Sequence, residues 1–239
     1  MRKITKLSFI LFIMVLAVKV NAQLSYGVKG GLNFTNFAFN FAKPSDEPTT
    51  QFKPGFYLGG VVSYPLNEML YFESGLLLST KGFSYNHEDE VGSGATVEGF
   101  DKSTITYLII PIHVTYNIQK IQISTGPYIG IGLFGKRKYD YVINDGGPDP
   151  YKGEETYKFI SKVGPNDLKA NEIAIKGLDI GWEIGVGYMI SDILKINAEF
   201  GLGLFNLIPE ETDDPNFNPA DFKAKYRAVS VGVTYSFGE

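Results

Sequence analysis

Eight segments of this chain alternate strictly between two kinds of residue, and this alternation limits the fold more than any other feature. A period of two is the pattern of β-strands whose two faces meet different surroundings. The segments, with ends good to about 2 to 4 residues, are 25–34, 55–64, 69–81, 104–116, 121–135, 173–190, 193–205 and 225–237.

The connections between these segments fall into two classes of length. Three are short and fall at 65–67, 117–120 and 191–192, whereas those at 35–54, 82–103, 136–172 and 206–224 are long and polar. Short turns at one end and long loops at the other are typical of small barrels of the bacterial outer membrane. We therefore predict an all-β fold: an eight-stranded antiparallel up-and-down transmembrane β-barrel with short periplasmic turns, long extracellular loops and both termini on the periplasmic side.

The two faces of the strands differ in composition, and this difference predicts which face points into the barrel. One face is bulky and apolar, as in Val28, Leu32, Phe34, Phe56, Leu58, Leu76, Ile112, Val114, Ile131, Trp182, Ile184, Val186, Phe200, Leu202, Val229, Val231 and Val233. The other mixes charge with glycine, as in Gly27, Gly31, Gly59, Gly75, Gly126, Gly130, Gly181, Gly185, Gly187, Gly201, Gly203 and Gly232. A soluble lipocalin-like barrel would turn the glycines to water, where they weaken strands without relieving crowding. A small membrane barrel would turn them into a narrow lumen and the apolar set to lipid, which accounts for both sets.

Aromatic residues support the membrane interpretation. Tyr64, Tyr116, Tyr188 and Tyr235 belong to the apolar face and lie near the short-turn ends. Aromatic side chains concentrate at the level of the lipid headgroups. We expect these four to form a girdle at the periplasmic interface.

The first 22 residues have the layout of a secretory signal peptide. Basic residues Arg2, Lys3 and Lys6 precede an apolar run, and Ala22 fits the last position before cleavage. The alternative, a membrane anchor, would need about 20 apolar residues. We expect residues 1–22 to be removed and residues 23–239 to form the barrel domain.

Composition excludes several kinds of function. Removal of four basic residues with the leader leaves 18 against 26 acidic ones, a formal charge of −8. Such an acidic chain does not suit nucleic acid. With no cysteine, it can form neither disulfides nor thiolate metal sites.

Several motifs resemble the PorT-like family of small outer-membrane β-barrel proteins. They are YGVKGGLNF at 26–34, LSTKG at 78–82, YLIIP at 107–111, STGPYIGIGLFG at 124–135 and LDIGWEIGVGY at 178–188. The resemblance spans essentially the whole mature chain, although Ile109 stands where the family usually has an acidic residue. It implies an eight-stranded barrel but no particular ligand, and one branch of the family is associated with type IX protein secretion.

The C-terminal stretch resembles the signal that the barrel-assembly machinery recognises in a last strand. Ser230, Gly232, Tyr235 and Phe237 provide the polar residue, the glycine and the two aromatic residues of that signal. The resemblance implies insertion into the outer membrane with that machinery as a partner.

Charged residues on the glycine-rich face are the candidate functional groups of the lumen. They are Lys29, Glu73, Lys81, His113, Asp179, Glu183, Lys195 and Glu199. Buried charges are stable only when paired, so we expect an internal salt-bridge network. A turn at 191–192 would place Glu183 opposite Glu199, where they would form an acid–base pair or share a lysine or a proton. We predict a lysine or arginine nitrogen within hydrogen-bond reach of one of them.

Catalysis finds little support in the sequence. The two histidines are His87, in an acidic loop, and His113, on the lumen face with Thr115, and there is no Gly-x-Ser-x-Gly motif. We expect no cofactor and no metal site, because the acidic segment 210–214 does not match a calcium-binding loop.

The long loops are where a specific function would reside. Lys136, Arg137 and Lys138 follow the fifth segment at the outer rim, where they would either contact lipopolysaccharide phosphates or remain solvated. We predict a non-catalytic scaffold or adhesion protein in contact with outer-membrane lipid and lipopolysaccharide, with an envelope protein as a further partner. The alternatives are an accessory component of a secretion system and a small enzyme acting on envelope lipid.

Overall fold

A computed structural model describes residues 24–41, 50–91, 95–144, 151–211 and 221–237. The described residues form twelve β-strands. Their bounds are β1 Ser25–Phe41, β2 Lys53–Pro65, β3 Leu70–Val91, β4 Ala95–Ile118, β5 Ile121–Asn144, β6 Tyr151–Phe159, β7 Lys162–Val163, β8 Glu172–Ile175, β9 Leu178–Met189, β10 Leu194–Gly203, β11 Glu210–Glu211 and β12 Phe222–Ser236.

Eight of these strands form a closed antiparallel ring. The order is β4-β3-β2-β1-β12-β10-β9-β5, and pairing of β5 with β4 completes the circle. Strands that are neighbours in the ring follow one another along the chain except where β6, β7, β8 and β11 intervene. The first strand pairs with the last through Gly27↔Ser236 to Phe41↔Phe222, so the ring has no free edge.

The strands turn their apolar face outward, as the alternation predicts. Leu32, Phe56, Leu58, Trp182 and Ile184 are among the large apolar side chains exposed on the outer surface. Charged residues of the other face are buried inside, and Lys29, His113 and Asp179 are at most 1% exposed. An apolar outer surface and a charged interior are the reverse of the arrangement in a soluble protein, and they are what a barrel surrounded by lipid requires.

Three of the ring strands continue well past the ring at the long-loop end. β3 and β4 pair as far as Val91↔Ala95, and β5 runs to Asn144 with β6 added along its edge. β8 then pairs with β6 in parallel. We call this sheet, formed by 83–91, 95–103, 136–144, β6 and β8, the sheet extension.

Several sequence predictions on strand ends were therefore wrong, because β1, β3 and β4 also extend further toward the long loops than the predicted segments 25–34, 69–81 and 104–116. The predicted segment 173–190 is two strands, because the chain leaves β8 at Ile175 and joins the ring only at Leu178. The fifth strand does not end before Lys136, since the edge of β6 gives its backbone further hydrogen-bond partners. Parts of the long connections are thus regular sheet.

A bulge in β5 changes which side chains face inward. The register of β5 against β4 shifts between Thr106↔Phe134 and Tyr107↔Gly132, which leaves one extra residue on β5. Ile131 and Leu133 face outward before the bulge, and Lys136 and Lys138 do so after it. Arg137 consequently points to the inner side.

Candidate functional site

The lumen nearest the short turns holds a network of four charged side chains. Lys29 Nζ lies 2.5 Å from Glu199 Oε1 and 3.6 Å from Glu73 Oε1. Lys195 Nζ lies 3.2 Å from Glu73 Oε2. Two lysines and two carboxylates thus alternate across the barrel between β1, β3 and β10, and each buried charge has an opposite charge beside it.

A second ion pair lies further toward the long loops, inside a ring of tyrosines. Lys81 Nζ lies 2.8 Å from Asp179 Oδ2, and Tyr128 donates its hydroxyl to the same carboxylate at 3.2 Å. The ammonium is 4.2 Å from the centroid of the Tyr128 ring and 5.3 Å from that of Tyr226, within range of cation–π attraction. Lys81 is therefore fixed by one carboxylate and by aromatic faces.

His113 and Glu183 form a third contact. Nε2 of His113 lies 3.1 Å from Oε2 of Glu183. His113 is buried in the lumen, whereas an enzyme working on lipid would turn its base toward the bilayer. Lys29 beside Glu199 confirms the prediction of a lysine at one of the two glutamates.

The predicted pairing of Glu183 with Glu199 was wrong. Segment 190–193 forms the turn, so the register places Glu183 opposite Gly201 and Glu199 opposite Gly185. Each carboxylate thus faces a glycine rather than the other carboxylate. A Cβ atom at Gly185 would lie 2.8 Å from Cγ of Glu199, so the missing side chain makes room for the charged one.

Tyrosines complete the filling of the lumen, and sequence reasoning missed them. Tyr57, Tyr107, Tyr128 and Tyr226 are buried there. Glycines accommodate their rings: a Cβ atom at Gly181 would lie 2.3 Å from Cε1 of Tyr128. The sequence pattern could have identified them, because each of these tyrosines lies on the same strand face as the glycines or lumen charges.

Two open cavities lie at opposite ends of this filled region. One of about 400 Å³ lies at the short turns and is lined by Pro65, Glu73 and Lys195. The other, of about 350 Å³, lies under the sheet extension and is lined by Phe37, Phe83 and Leu207. A void between Lys29, Tyr57 and Lys81 measures about 30 Å³, which is room for one or two waters.

The three rim cations do not share one surface. Lys136 and Lys138 point outward, 2.5 and 3.1 Å from the carboxylate of Glu154 on β6. Their hydrogen bonds hold the pKa of Glu154 below its ordinary value. Arg137 turns inward to Asp101 through Nε at 2.8 Å and to Glu155 through Nη1 at 3.3 Å. Burial opposes its charge, but the hydrogen bonds and charge of Asp101 raise the pKa of Arg137.

The residues of the C-terminal motif lie on β12 and just beyond it. Ser230 pairs with Asn33 and Glu199, and Gly232 with Gly31 and Asn197. Tyr235 and Phe237 face outward with their ring centroids 5.5 Å apart. Tyr116 and Tyr188 are exposed beside the short turns as well, whereas Tyr64 is partly buried, and the girdle at the membrane interface stays a prediction.

Some candidates lie outside the described residues. These are the predicted signal peptide, the side chain of His87, and Asp213 and Asp214, while Glu210 pairs with Lys162 at 3.1 Å. Within the described ranges no group of three or more histidine and acidic side chains is placed to hold a metal ion. The same ranges contain no helix long and apolar enough to cross a membrane.

Comparisons with known proteins place this geometry among outer-membrane proteins. The model of one family, described as outer membrane protein beta-barrel domain, matches residues 21–209. No curated protein matches the chain in sequence.

Solved structures with some likeness to the chain come from several bacteria. Ail, the attachment invasion locus protein of Yersinia pestis, is 14% identical, with 90% of this chain and 100% of that chain covered and a TM-score of 0.39. OprG from Pseudomonas aeruginosa is 13% identical, with 91% and 97% covered and a TM-score of 0.40. The protease OmpT from Escherichia coli is 8% identical, with 91% and 98% covered and a TM-score of 0.37. At such values no property of these proteins transfers to this chain.

Proposed function

Because the chain belongs to the family of outer membrane protein beta-barrel domains and is located in the outer membrane, we propose that it is a non-catalytic scaffold or adhesion protein that acts through its sheet extension. The filled lumen is its anchor. In this proposal the short turns face the periplasm and the sheet extension faces the outside of the cell.

The length of β3, β4 and β5 is the observation that supports this proposal. These strands have 22, 24 and 24 residues, whereas about 9 to 11 residues cross a bilayer. At least about half of each strand is therefore available outside the hydrocarbon layer. A paired, multi-stranded sheet holds its exposed face rigidly, which lowers the entropy lost when a partner binds.

Photo-crosslinking in intact cells tests the proposal. A crosslinking amino acid at exposed Lys152 on β6 should give discrete adducts with a partner outside the membrane. The matched position Gln119 in a short turn should not give the same adducts. Identical adducts at both positions, or none at Lys152, would contradict the proposal.

A shortened variant supplies the control for this experiment. Replacing residues 86–100 by Asn-Gly would close the β3–β4 hairpin at the pair Tyr85↔Asp101 with a favoured two-residue turn. We expect this variant to insert and to migrate as a folded barrel on unheated gels, but to lose the Lys152 adducts. Adducts that persist would place the interaction elsewhere.

Lipopolysaccharide is the partner that we propose for the rim. Lys136 and Lys138 both point outward, and together with Glu154 they carry one net positive charge. Changing both lysines to alanine should reduce the lipopolysaccharide retained in native mass spectrometry. Arg137→Ala serves as the inward-facing comparison, and equal retention by the double variant and the wild type would remove the proposal.

The same proposal includes membership of the PorT-like family and cleavage of residues 1–22. It also includes recognition of the last strand by the barrel-assembly machinery, through Ser230, Gly232, Tyr235 and Phe237. Two other roles remain alternatives within it. Crosslinks from Lys152 to secretion components would favour the accessory role in secretion. Turnover of envelope lipid by the purified protein would favour the enzyme.

A further inference from the structure

We infer that the cavity under the sheet extension is a binding site for a small apolar molecule that carries a protonated amine. This site, the mouth cavity, is lined by apolar side chains including Phe37, Phe39, Phe83, Ile175 and Leu207, and by one ion pair, Asp101 with Arg137. The inference is independent of the partner proposed above.

The volume of the mouth cavity suits a ligand of one or two rings. Its volume of about 350 Å³ is within the range of small-molecule sites and roughly twice that of a cavity that holds benzene. Phe37 stacks against Phe83 at 4.8 Å and against Tyr226 at 4.5 Å between ring centroids. Phe37 and Phe83 line the cavity, and Tyr226 packs against Phe37 behind them.

One buried carboxylate oxygen in this wall still needs a hydrogen-bond donor. Asp101 is only 5% exposed. Its Oδ2 accepts hydrogen bonds from Arg137, but its Oδ1 has no partner among the residues that the structure describes. An unsatisfied buried acceptor is costly, and Asp101 is a lining residue of the cavity. A ligand with an N–H group would satisfy it.

Charge decides between a neutral donor and a cation. Arg137 contacts both Asp101 and Glu155, so this cluster of three charges has one negative charge in excess. A protonated amine would balance it, whereas a carboxylate would be repelled. An apolar wall with one anionic acceptor therefore favours an amine with a hydrophobic body.

Binding of three one-ring probes that differ in charge to the full mature protein in lipid nanodiscs tests this. The probes are 2-phenylethylamine, ethylbenzene and 3-phenylpropionate. Saturation-transfer NMR detects their binding, and calorimetry measures their affinity. A charge-assisted hydrogen bond predicts that the amine binds roughly 10- to 100-fold more tightly than ethylbenzene, and that the carboxylate binds no better than ethylbenzene. Equal affinity for all three, or no binding, would overturn the inference; the latter would mean that water or a segment of the chain itself fills the cavity.

Two variants locate the site. Asp101→Asn should reduce the preference for the amine to less than about threefold, while Asp140→Asn should not change it, because Asp140 pairs with Lys152 outside the cavity. If Asp101→Asn fails to fold, Ala174→Trp offers a second route, since Ala174 lines the cavity and is only half-buried. That substitution should abolish binding of both the amine and ethylbenzene. An amine preference that survives both variants would contradict the assignment.

Discussion

Lys81 and Asp179 show at the scale of single residues how this lumen tolerates charge. Asp179 is completely buried and accepts hydrogen bonds from Lys81 and Tyr128. Burying such ions costs several kcal/mol each, and the cost is recovered only when every group is paired. The pair is therefore a requirement of the filled lumen rather than a source of extra stability.

Lys81→Met should lower the free energy of unfolding by about 3 to 5 kcal/mol, because it leaves the Asp179 carboxylate buried without its cation. Adding Asp179→Asn should restore most of that loss, since no uncompensated charge then remains. Urea unfolding in lipid vesicles, followed by fluorescence of the single tryptophan, Trp182, gives both values.

Lys195→Met is the matched comparison for this cycle. Lys195 lines the open cavity at the short turns, and Glu73 keeps Lys29 as a neighbour when Lys195 is lost. We expect a smaller loss than for Lys81→Met, about 1 to 3 kcal/mol, because this site is more solvated. Equal losses in the free energy of unfolding for Lys81→Met and Lys195→Met would show that the surrounding tyrosines do not isolate Lys81 from solvent.

At the scale of elements, strand β2 shows how glycine allows neighbouring strands to pack closely. A Cβ atom at Gly59 would lie 2.0 Å from the backbone oxygen of Leu76, whereas at the adjacent Gly60 it would meet nothing nearer than 4.0 Å. A backbone atom cannot move aside as a flexible side chain can. Gly59 is thus required by close packing of β2 on β3, and Gly60 is not.

Gly59→Ala should therefore destabilise the barrel by about 1 to 3 kcal/mol through overpacking. Gly60→Ala should be neutral or stabilising by up to about 1 kcal/mol, because alanine loses less backbone entropy on folding. The same urea titration in vesicles compares the two variants. A larger loss for Gly60→Ala would contradict the assigned strand faces.

The alternation of residues predicted which face of each strand is buried, but it did not predict every register. The alternation with a period of two predicted that Lys29, Glu73 and Asp179 point into the lumen, because the two faces of a strand meet different surroundings. The bulge that turns Arg137 inward depends on one extra residue between β4 and β5. The turn at 190–193 displaced Glu183 from Glu199 by two positions. Both features arise from pairing between strands, which a single strand's pattern does not contain.

The sheet extension was hidden from sequence reasoning for a related reason. Charged residues occur on both faces of its strands, such as Lys136 and Lys138 outward and Arg137 inward, so 136–144 and 151–159 show a weaker apolar alternation than the ring strands and resemble loop. They are held by cross-strand pairs of opposite charge, among them Lys138 with Glu154 and Lys152 with Asp140.

At the scale of the whole molecule, the filled lumen supports our proposal that the ring acts as an anchor rather than as a pore. The ion pairs and tyrosines occupy the lumen between the two end cavities and leave a void of about 30 Å³. An eight-stranded barrel is just wide enough for its own side chains. Charged solutes would have to displace Lys29, Lys81 or their partners in order to pass.

Purified protein in planar bilayers should therefore show no stable, large conductance. Changing Tyr57, Tyr128 and Tyr226 together to alanine should produce measurable channels. Tyr57 lines the small void between Lys29 and Lys81, and the other two rings contact Lys81, so the loss of three buried rings leaves a water-accessible path. Tyr235→Ala on the outer surface is the matched control and should remain silent. Stable large channels in the wild-type protein would mean that the lumen opens in the membrane, and the side-chain network would then have to act as a gate rather than as a permanent filling.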